Sequence, residues 1–110
     1  MNDLTEKKCT SCEIGTKPLS KEDIAKLMKL VPEWSLNQDQ TRITRIVDFK
    51  GYYKTMAFVN AVAWIANAEG HHPDLEVSYN KCIVHFTTHA ADGLTNNDYI
   101  CAAKVDRLLT

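Results

Sequence analysis

At 110 residues, the chain has a length common for one domain and is too short for two independent hydrophobic cores. Its composition, 45% hydrophobic and 25% charged with a formal net charge of -1, is close to the globular average. This balance gives no electrostatic basis for binding nucleic acid or a membrane surface, and no apolar run approaches the roughly 18 residues of a membrane span. We expect a cytoplasmic protein, since the polar start MNDLTEKK lacks a signal-peptide stretch.

The first 19 residues are polar, show no hydrophobic periodicity and include Gly15 and Pro18. We predict a flexible arm over residues 1–19 and a single domain over residues 20–110.

Cys9 and Cys12 have CxxC spacing, which could supply half of a zinc site, but no second CxxC or suitable histidine pair stands nearby. An unliganded arm is therefore favoured. Since nothing marks the chain as secreted, we expect all cysteines to be free thiols, namely Cys9, Cys12, Cys82 and Cys101.

A first helix is predicted after Ser20, which stands three residues before Asp23 as in a capping box. It stops at Pro32, and its apolar face is formed by Ile24, Leu27, Met28 and Val31. Two extended segments follow at residues 34–37 and 41–49, with a hairpin turn at residues 38–40. In the second segment, alternation puts one set of side chains on one face and the other set opposite: Ile43, Arg45, Val47 and Phe49 against Thr44, Ile46 and Asp48.

Residues 51–68 form a long apolar segment that predicts a central, largely buried helix. Its proposed stripe is Met56, Val59, Ala63 and Ala66, widened by Phe58, Val62 and Ile65. Gly70 ends the helix, and His71-His72-Pro73 follow as a turn, because the residue before proline avoids helical geometry.

Alternating residues then predict a second hairpin, with strands at residues 75–79 and 82–88 around Asn80-Lys81. Thr95 precedes Asp98 at capping-box spacing and begins a last helix. The order of helix, two strands, long helix, two strands and helix predicts an α+β fold: a four-stranded antiparallel sheet with three helices packed on one face. The other face would be exposed or used for self-association.

Three histidines form the candidate site, because imidazole gives and takes protons near neutral pH. His71 and His72 are adjacent on a turn, and His89 lies just past the hairpin's second strand, so a returning hairpin would bring it near them. His85 alternates onto a sheet face and is interpreted as structural. Two alternatives remain: a solvated polar turn, and three imidazole ligands of a catalytic zinc.

The segments HHPDLEVSYNK and TTHAADGLTNND resemble the signature of the pterin-4a-carbinolamine dehydratase family. The resemblance continues more weakly upstream, through Trp34 and Asp48-Phe49, and spans about residues 20–108. It implies a four-stranded antiparallel sheet with helices on one side, assembled as a homodimer or homotetramer. It also implies a small-molecule substrate, 4a-hydroxytetrahydropterin, whose dehydration to quinonoid dihydropterin recycles the pterin for aromatic amino acid hydroxylation.

The same resemblance implies catalytic roles for three histidines without any cofactor or metal. His71 and His89 are expected to act as acid and base, and His72 mainly to hold the pterin. Asp98 is expected to orient an imidazole or bind the pterin, and the equally weighted alternative is the N3 carboxylate of a capping box. Asn67 is a candidate for hydrogen bonding to the pterin's amide edge.

Two positions depart from the family pattern, which often has Glu four residues before the first histidine and Asp or Asn directly before it. This chain has Asn67 and Gly70 there, and Glu69 is the nearest acid. Some animal members also act as dimerisation cofactors for a homeodomain transcription factor. A protein-binding module on the same fold is therefore the alternative function.

Overall fold

The computed structural model describes residues 3–11 and 13–110. It confirms the predicted α+β class, with one four-stranded antiparallel sheet and three α-helices. None of the helices in these described ranges is long and apolar enough to cross a membrane. The elements are α1 (Lys21–Met28), β1 (Ser35–Leu36), β2 (Ile43–Asp48), α2 (Tyr52–Glu69), β3 (Asp74–Ser78), β4 (Lys81–Phe86) and α3 (Asn96–Arg107), with short 3-10 helices at Asp3–Glu6 and His89–Ala91.

The strand order β1-β2-β4-β3 confirms both predicted hairpins and makes β2 and β4 the central pair. Antiparallel pairing of β3 with β4 places Asp74 opposite His85. The turn that precedes β3 and the segment that follows β4 therefore meet at the same end of the sheet. This register is what brings the two histidine-bearing segments together.

Alternation along the strands separates a buried sheet face from an outer one, as predicted for β2. The buried face carries Ile43, Val47, Cys82, Val84 and Phe86, which pack in the core with α3. On the outer face, His85 Nδ1 lies 2.7 Å from Thr44 Oγ1 and its Nε2 lies 2.6 Å from Glu76 Oε2. The prediction that His85 is a sheet-face histidine is confirmed.

The first helix begins as predicted, since the Ser20 hydroxyl accepts a hydrogen bond from the backbone N–H of Asp23. The prediction that α2 is largely buried is wrong. Its buried residues form one narrow stripe, Thr55, Phe58, Val62 and Ala66, whereas Tyr53 and Trp64 are 86% and 78% exposed and the predicted Ala63 is exposed. Because α2 is apolar on nearly every face, its sequence did not indicate which side packs on the sheet.

Within the predicted arm, Asp3–Glu6 form a 3-10 helix next to α3. Leu4 in this turn is buried in the core and 4% exposed. A single leucine in a polar segment carries no periodic signal, so the sequence did not reveal this packing.

Cys12, the second CxxC cysteine, lies outside the described residues, and the described cysteines are free thiols as expected. The division into an arm and a domain stays a prediction.

The far end of α3 is fixed to the sheet through Asp106. Its Oδ1 accepts hydrogen bonds from Trp34 Nε1 at 2.7 Å and from Arg45 Nη1 at 2.5 Å. Both donors and the acceptor are partly shielded from water, and a bond from an ionised donor to a carboxylate is stronger than a neutral one. The position of α3 against β2 is therefore well defined, which matters because its N-terminus carries Asp98.

Candidate active site

The turn that carries the first two histidines is set by the end of α2. Gly70 adopts the left-handed conformation, with φ of 65°, and its N–H and that of His71 both bond to the Ala66 carbonyl. This conformation costs glycine little because it has no Cβ. Pro73 then prevents further helix and leads into β3. The local sequence thus directs His71 and His72 off the helix end toward the sheet edge.

His71 is held on two sides. Its Nε2 lies 2.7 Å from Asp98 Oδ1, and its ring stacks on Phe86 with centroids 5.9 Å apart. The imidazole is only 13% exposed. Because an ionised carboxylate can only accept, Nε2 carries the proton in this pair and Nδ1 is left as the nitrogen able to exchange a proton with a ligand. The contact fixes both the orientation and the tautomer of His71.

Asp98 joins the site to the start of α3, and its side chain is fully buried. While Oδ1 contacts His71, Oδ2 accepts hydrogen bonds from Thr88 Oγ1 at 2.8 Å and from the Thr95 backbone N–H at 3.0 Å. The two sequence interpretations, imidazole orientation and capping-box carboxylate, are therefore combined in one residue. Asp98 lies behind His71 and does not line the cleft described next.

A cleft of about 180 Å³ brings the three predicted histidines together. His71 lines it beside the buried carboxylate of Asp98, and the exposed His89 begins the 3-10 helix that follows β4. The other lining residues are Thr10, Ser11, Gly70, His72, Thr87, Thr88, Ala90 and Asn97. Such an arrangement can deliver and remove protons at two points of one small ligand.

Asn67 lies outside that cleft, in an adjoining groove of about 460 Å³. The groove shares Gly70 and His72 with the histidine cleft and is otherwise mostly apolar, with Val62, Ala63, Ala66, Pro73 and Leu75 along it. Glu69, the nearest acid in sequence, binds Lys104 and the backbone of Cys9 and lines neither cavity. Gly70 and His72 thus connect the groove that contains Asn67 with the histidine cleft.

Sequence reasoning missed several lining residues. Thr88 continues the inward alternation of β4 and could have been found from that pattern, since it is 4% exposed. Asn97 is in the first turn of α3, where a polar residue is ordinarily read as a helix-start preference. Thr10 and Ser11 carried no signal, because their place in the site depends on contacts with residues about 60–90 positions away.

A metal centre was the alternative use of these histidines. In residues 3–11 and 13–110, no three His, Cys, Asp or Glu side chains are grouped so as to hold a metal ion. The carboxylate of Asp98 contacts one nitrogen of one histidine, Nε2 of His71. The described side chains therefore do not form a recognisable zinc ligand set.

The Glu69–Lys104 pair is expected to stabilise this region. Lys104 Nζ donates to Glu69 Oε2 at 2.6 Å, with side chains 17% and 7% exposed, and this bond together with the Cys9 N–H lowers the pKa of Glu69 below its ordinary 4.5. Lys104→Met should lower the free energy of unfolding by about 1.5–3 kcal/mol at pH 7 in urea titrations. A depressed pKa contributes stability above pH 4.5 that is lost as pH falls further, so the difference should shrink in acid.

The control is Lys81→Met, which removes an exposed 4.0 Å pair with Asp48. Its effect should stay below about 1 kcal/mol, as is usual for surface ion pairs. Equal losses for the two variants, or a Lys104→Met deficit that persists below the pKa of Glu69, would contradict this prediction.

The chain is similar to known proteins over most of its length. The family model described as pterin 4 alpha carbinolamine dehydratase matches residues 17–108. A Legionella pneumophila relative is 56% identical over 109 residues, covering 98% of this chain and 96% of its own, and a Nitrosomonas eutropha relative is 55% identical over 108 residues, covering 97% and 94%. Both carry the provisional name pterin-4-alpha-carbinolamine dehydratase.

Two solved structures share the fold. A Brucella melitensis protein described as transcriptional coactivator/pterin dehydratase superposes with a TM-score of 0.81 at 24% identity, covering 86% of this chain and all of the other. A pterin dehydratase-like RuBisCO assembly factor of the alpha-carboxysome gives 0.60 at 21% identity, covering 69% and 88%. From the matched residues and the near full-length relatives, the chain belongs to the pterin-4-alpha-carbinolamine dehydratase family.

Proposed function

We propose that this protein dehydrates 4a-hydroxytetrahydropterin to quinonoid dihydropterin by histidine general acid/base catalysis. The observation that carries the proposal is the cleft lined by His71, His72 and His89, with His71 bound to a fully buried Asp98. Family membership supplies the substrate class. In an organism with an aromatic amino acid hydroxylase, this reaction would recycle the tetrahydropterin.

The reaction needs two proton transfers and no redox step. An imidazolium gives a proton to the hydroxyl leaving C4a, which departs as water, and a neutral imidazole takes the proton of the neighbouring ring nitrogen as the carbon–nitrogen double bond forms. His71 and His89 are the proposed pair, and either assignment of acid and base fits the cleft. Each turnover leaves the base protonated and the acid deprotonated, and the exposed His89 can exchange protons with water to reset the pair.

Substrate binding is proposed to extend beyond the histidine cleft. Small-molecule pockets usually measure about 300–1,000 Å³, and the histidine cleft alone is about 180 Å³. The adjoining groove shares His72, so a pterin held by His72 could reach the amide of Asn67 along the groove. Asp98 would act through His71 and not by touching the ligand. We also propose a homodimer or homotetramer, as the family resemblance implies, and a cytoplasmic location.

The direct test is the decay of chemically generated 4a-hydroxytetrahydropterin, followed by ultraviolet absorbance. The folded protein should accelerate the decay before and after treatment with a chelator, since the proposed chemistry uses only side chains. The control is the same concentration of heat-unfolded protein, which contains the same imidazoles without the cleft. Activity equal to that control, or activity lost on chelation and restored by a metal, would overturn the proposal. An inactive folded protein would favour the protein-binding alternative.

A further inference from the structure

The histidine cleft has a wall that lies outside the region matched by the family model. That match begins at residue 17, yet Thr10 and Ser11 line the cleft together with the three histidines. We call residues 9–11 the N-terminal strip. The residues matched by the family model would by themselves leave this side of the cleft without the strip.

Asn97 holds the strip by its backbone. Its Oδ1 accepts the Thr10 N–H at 3.0 Å, and its Nδ2 donates to the Thr10 carbonyl at 2.7 Å. One amide thus satisfies both backbone groups of one residue, much as a neighbouring β-strand would. Asn97 is 5% exposed and follows Asn96, the first residue of α3, so its position is fixed by the helix. Both bonds are shielded, which makes them costly to lose.

Three further contacts hold the strip at Cys9. The Cys9 N–H donates to Glu69 Oε1 at 2.8 Å, and Glu69 is itself bound to Lys104. The Cys9 thiol lies 3.6 Å from the Asn97 carbonyl and 3.5 Å from the Cys101 thiol. The strip is therefore tied to the end of α2 and to α3, the two helices that position His71 and Asp98.

We propose that the N-terminal strip forms part of the substrate-binding surface and that Asn97 is the positioning residue that keeps it there. This inference deepens the proposed dehydration and rests on it for the identity of the ligand. Asn97 acts on the cleft wall, because both ends of its side-chain amide bond to the backbone of Thr10. Its loss should therefore weaken pterin binding and leave the proton-transfer groups in place.

The experiment compares Asn97→Ala with the native chain. We expect KM to rise about tenfold with kcat within about twofold, since an effect on binding alone raises KM at constant kcat. The matched control is Asn96→Ala, which alters the exposed neighbouring asparagine and should leave both constants unchanged. Binding of a stable fluorescent pterin gives a readout that does not need turnover, and its Kd should also rise about tenfold in Asn97→Ala.

A disulfide rescue experiment distinguishes displacement of the N-terminal strip from general damage to α3. In an Asn97→Ala, Cys12→Ser chain, diamide can join Cys9 to Cys101, whose sulfur atoms are 3.5 Å apart. The two thiols lose two protons and two electrons, and the azo bond of diamide is reduced to a hydrazine. Once mass spectrometry shows the linkage, KM and Kd should return toward native values and rise again on reduction. The same treatment of a chain with Cys9→Ser added should rescue nothing.

These outcomes distinguish the two proposals. If the native protein is inactive but Asn97→Ala still weakens pterin binding, the reaction proposal fails and the binding role of the strip stands. If the native protein is active and Asn97→Ala changes neither KM nor Kd, the strip plays no part in binding. Failure of the confirmed Cys9–Cys101 linkage to restore binding would likewise overturn the positioning role of Asn97.

Discussion

Replacement of His71 by alanine is expected to lower kcat for pterin dehydration by about 10²–10⁴-fold, the usual contribution of one general acid or base. His71 is the histidine whose orientation is fixed, by the 2.7 Å contact with Asp98 and by stacking on Phe86. His89→Ala should cause a loss of similar size, because the reaction needs both a donor and an acceptor. Single-turnover absorbance decays with each purified variant would measure the effect.

The matched control is His85→Ala, which removes a histidine on the opposite sheet face. It should retain activity within about twofold at saturating substrate. Circular dichroism and urea titration would show that each variant is folded. Because His89 is exposed and His71 mostly buried, His89→Ala should cost less stability than His71→Ala. Activity indifferent to either substitution, with the fold intact, would remove that histidine from the mechanism.

Replacement of Asp98 by alanine is expected to reduce both stability and activity. The carboxylate is fully buried and accepts three hydrogen bonds, from His71, Thr88 and Thr95. Its removal leaves these donors without their acceptor and should lower the free energy of unfolding by about 2–4 kcal/mol, from a lost helix-start contact and a lost charged hydrogen bond. We expect kcat to fall about 10²-fold or more, because His71 loses the group that fixes its tautomer.

The Asp98→Asn variant separates the role of Asp98 at the start of α3 from its role in fixing the tautomer of His71. Its amide has nearly the same shape, so its oxygen can still accept from Thr88 and Thr95 while its NH₂ group faces His71. That NH₂ group can only donate, which favours the tautomer of His71 with an unprotonated Nε2. We therefore expect most of the stability to return while kcat stays low. Recovery of kcat in Asp98→Asn would show that Asp98 serves the helix start alone.

Much of the fold follows from short-range patterns. The alternation of side chains in β2 correctly placed Val47 on the buried face of the sheet and Ile46 on the exposed face, because adjacent strand residues point to opposite faces. The spacing of Thr95 and Asp98 located the start of α3, and His71-His72-Pro73 marked the turn, because capping and proline geometry act within a few residues. The meeting of His71, His72 and His89 also followed from the hairpin prediction, since the second strand returns to where the first began.

Other features depended on contacts between distant parts of the chain. The capping spacing showed that Asp98 could serve α3, but only the packing of α3 against α2 placed its second oxygen beside His71. Asn67, two residues from the end of α2, was a candidate for bonding the pterin's amide edge, and the rotation of α2 on the sheet places it in the groove that adjoins the histidine cleft. A helix apolar on nearly every face leaves that rotation to its neighbours.

The sequence by itself determined the α+β class, the order of the elements and the meeting of the two histidine-bearing segments, because strand alternation, helix starts and turn residues are local stereochemical signals. Only the tertiary structure decided which stripe of α2 is buried, that Asp98 serves both His71 and the start of α3, and that Thr10 and Ser11 line the cleft. A polar segment such as residues 9–11 has no pattern of its own. Its path is set by hydrogen bonds to Glu69 and Asn97, which folding alone brings near it.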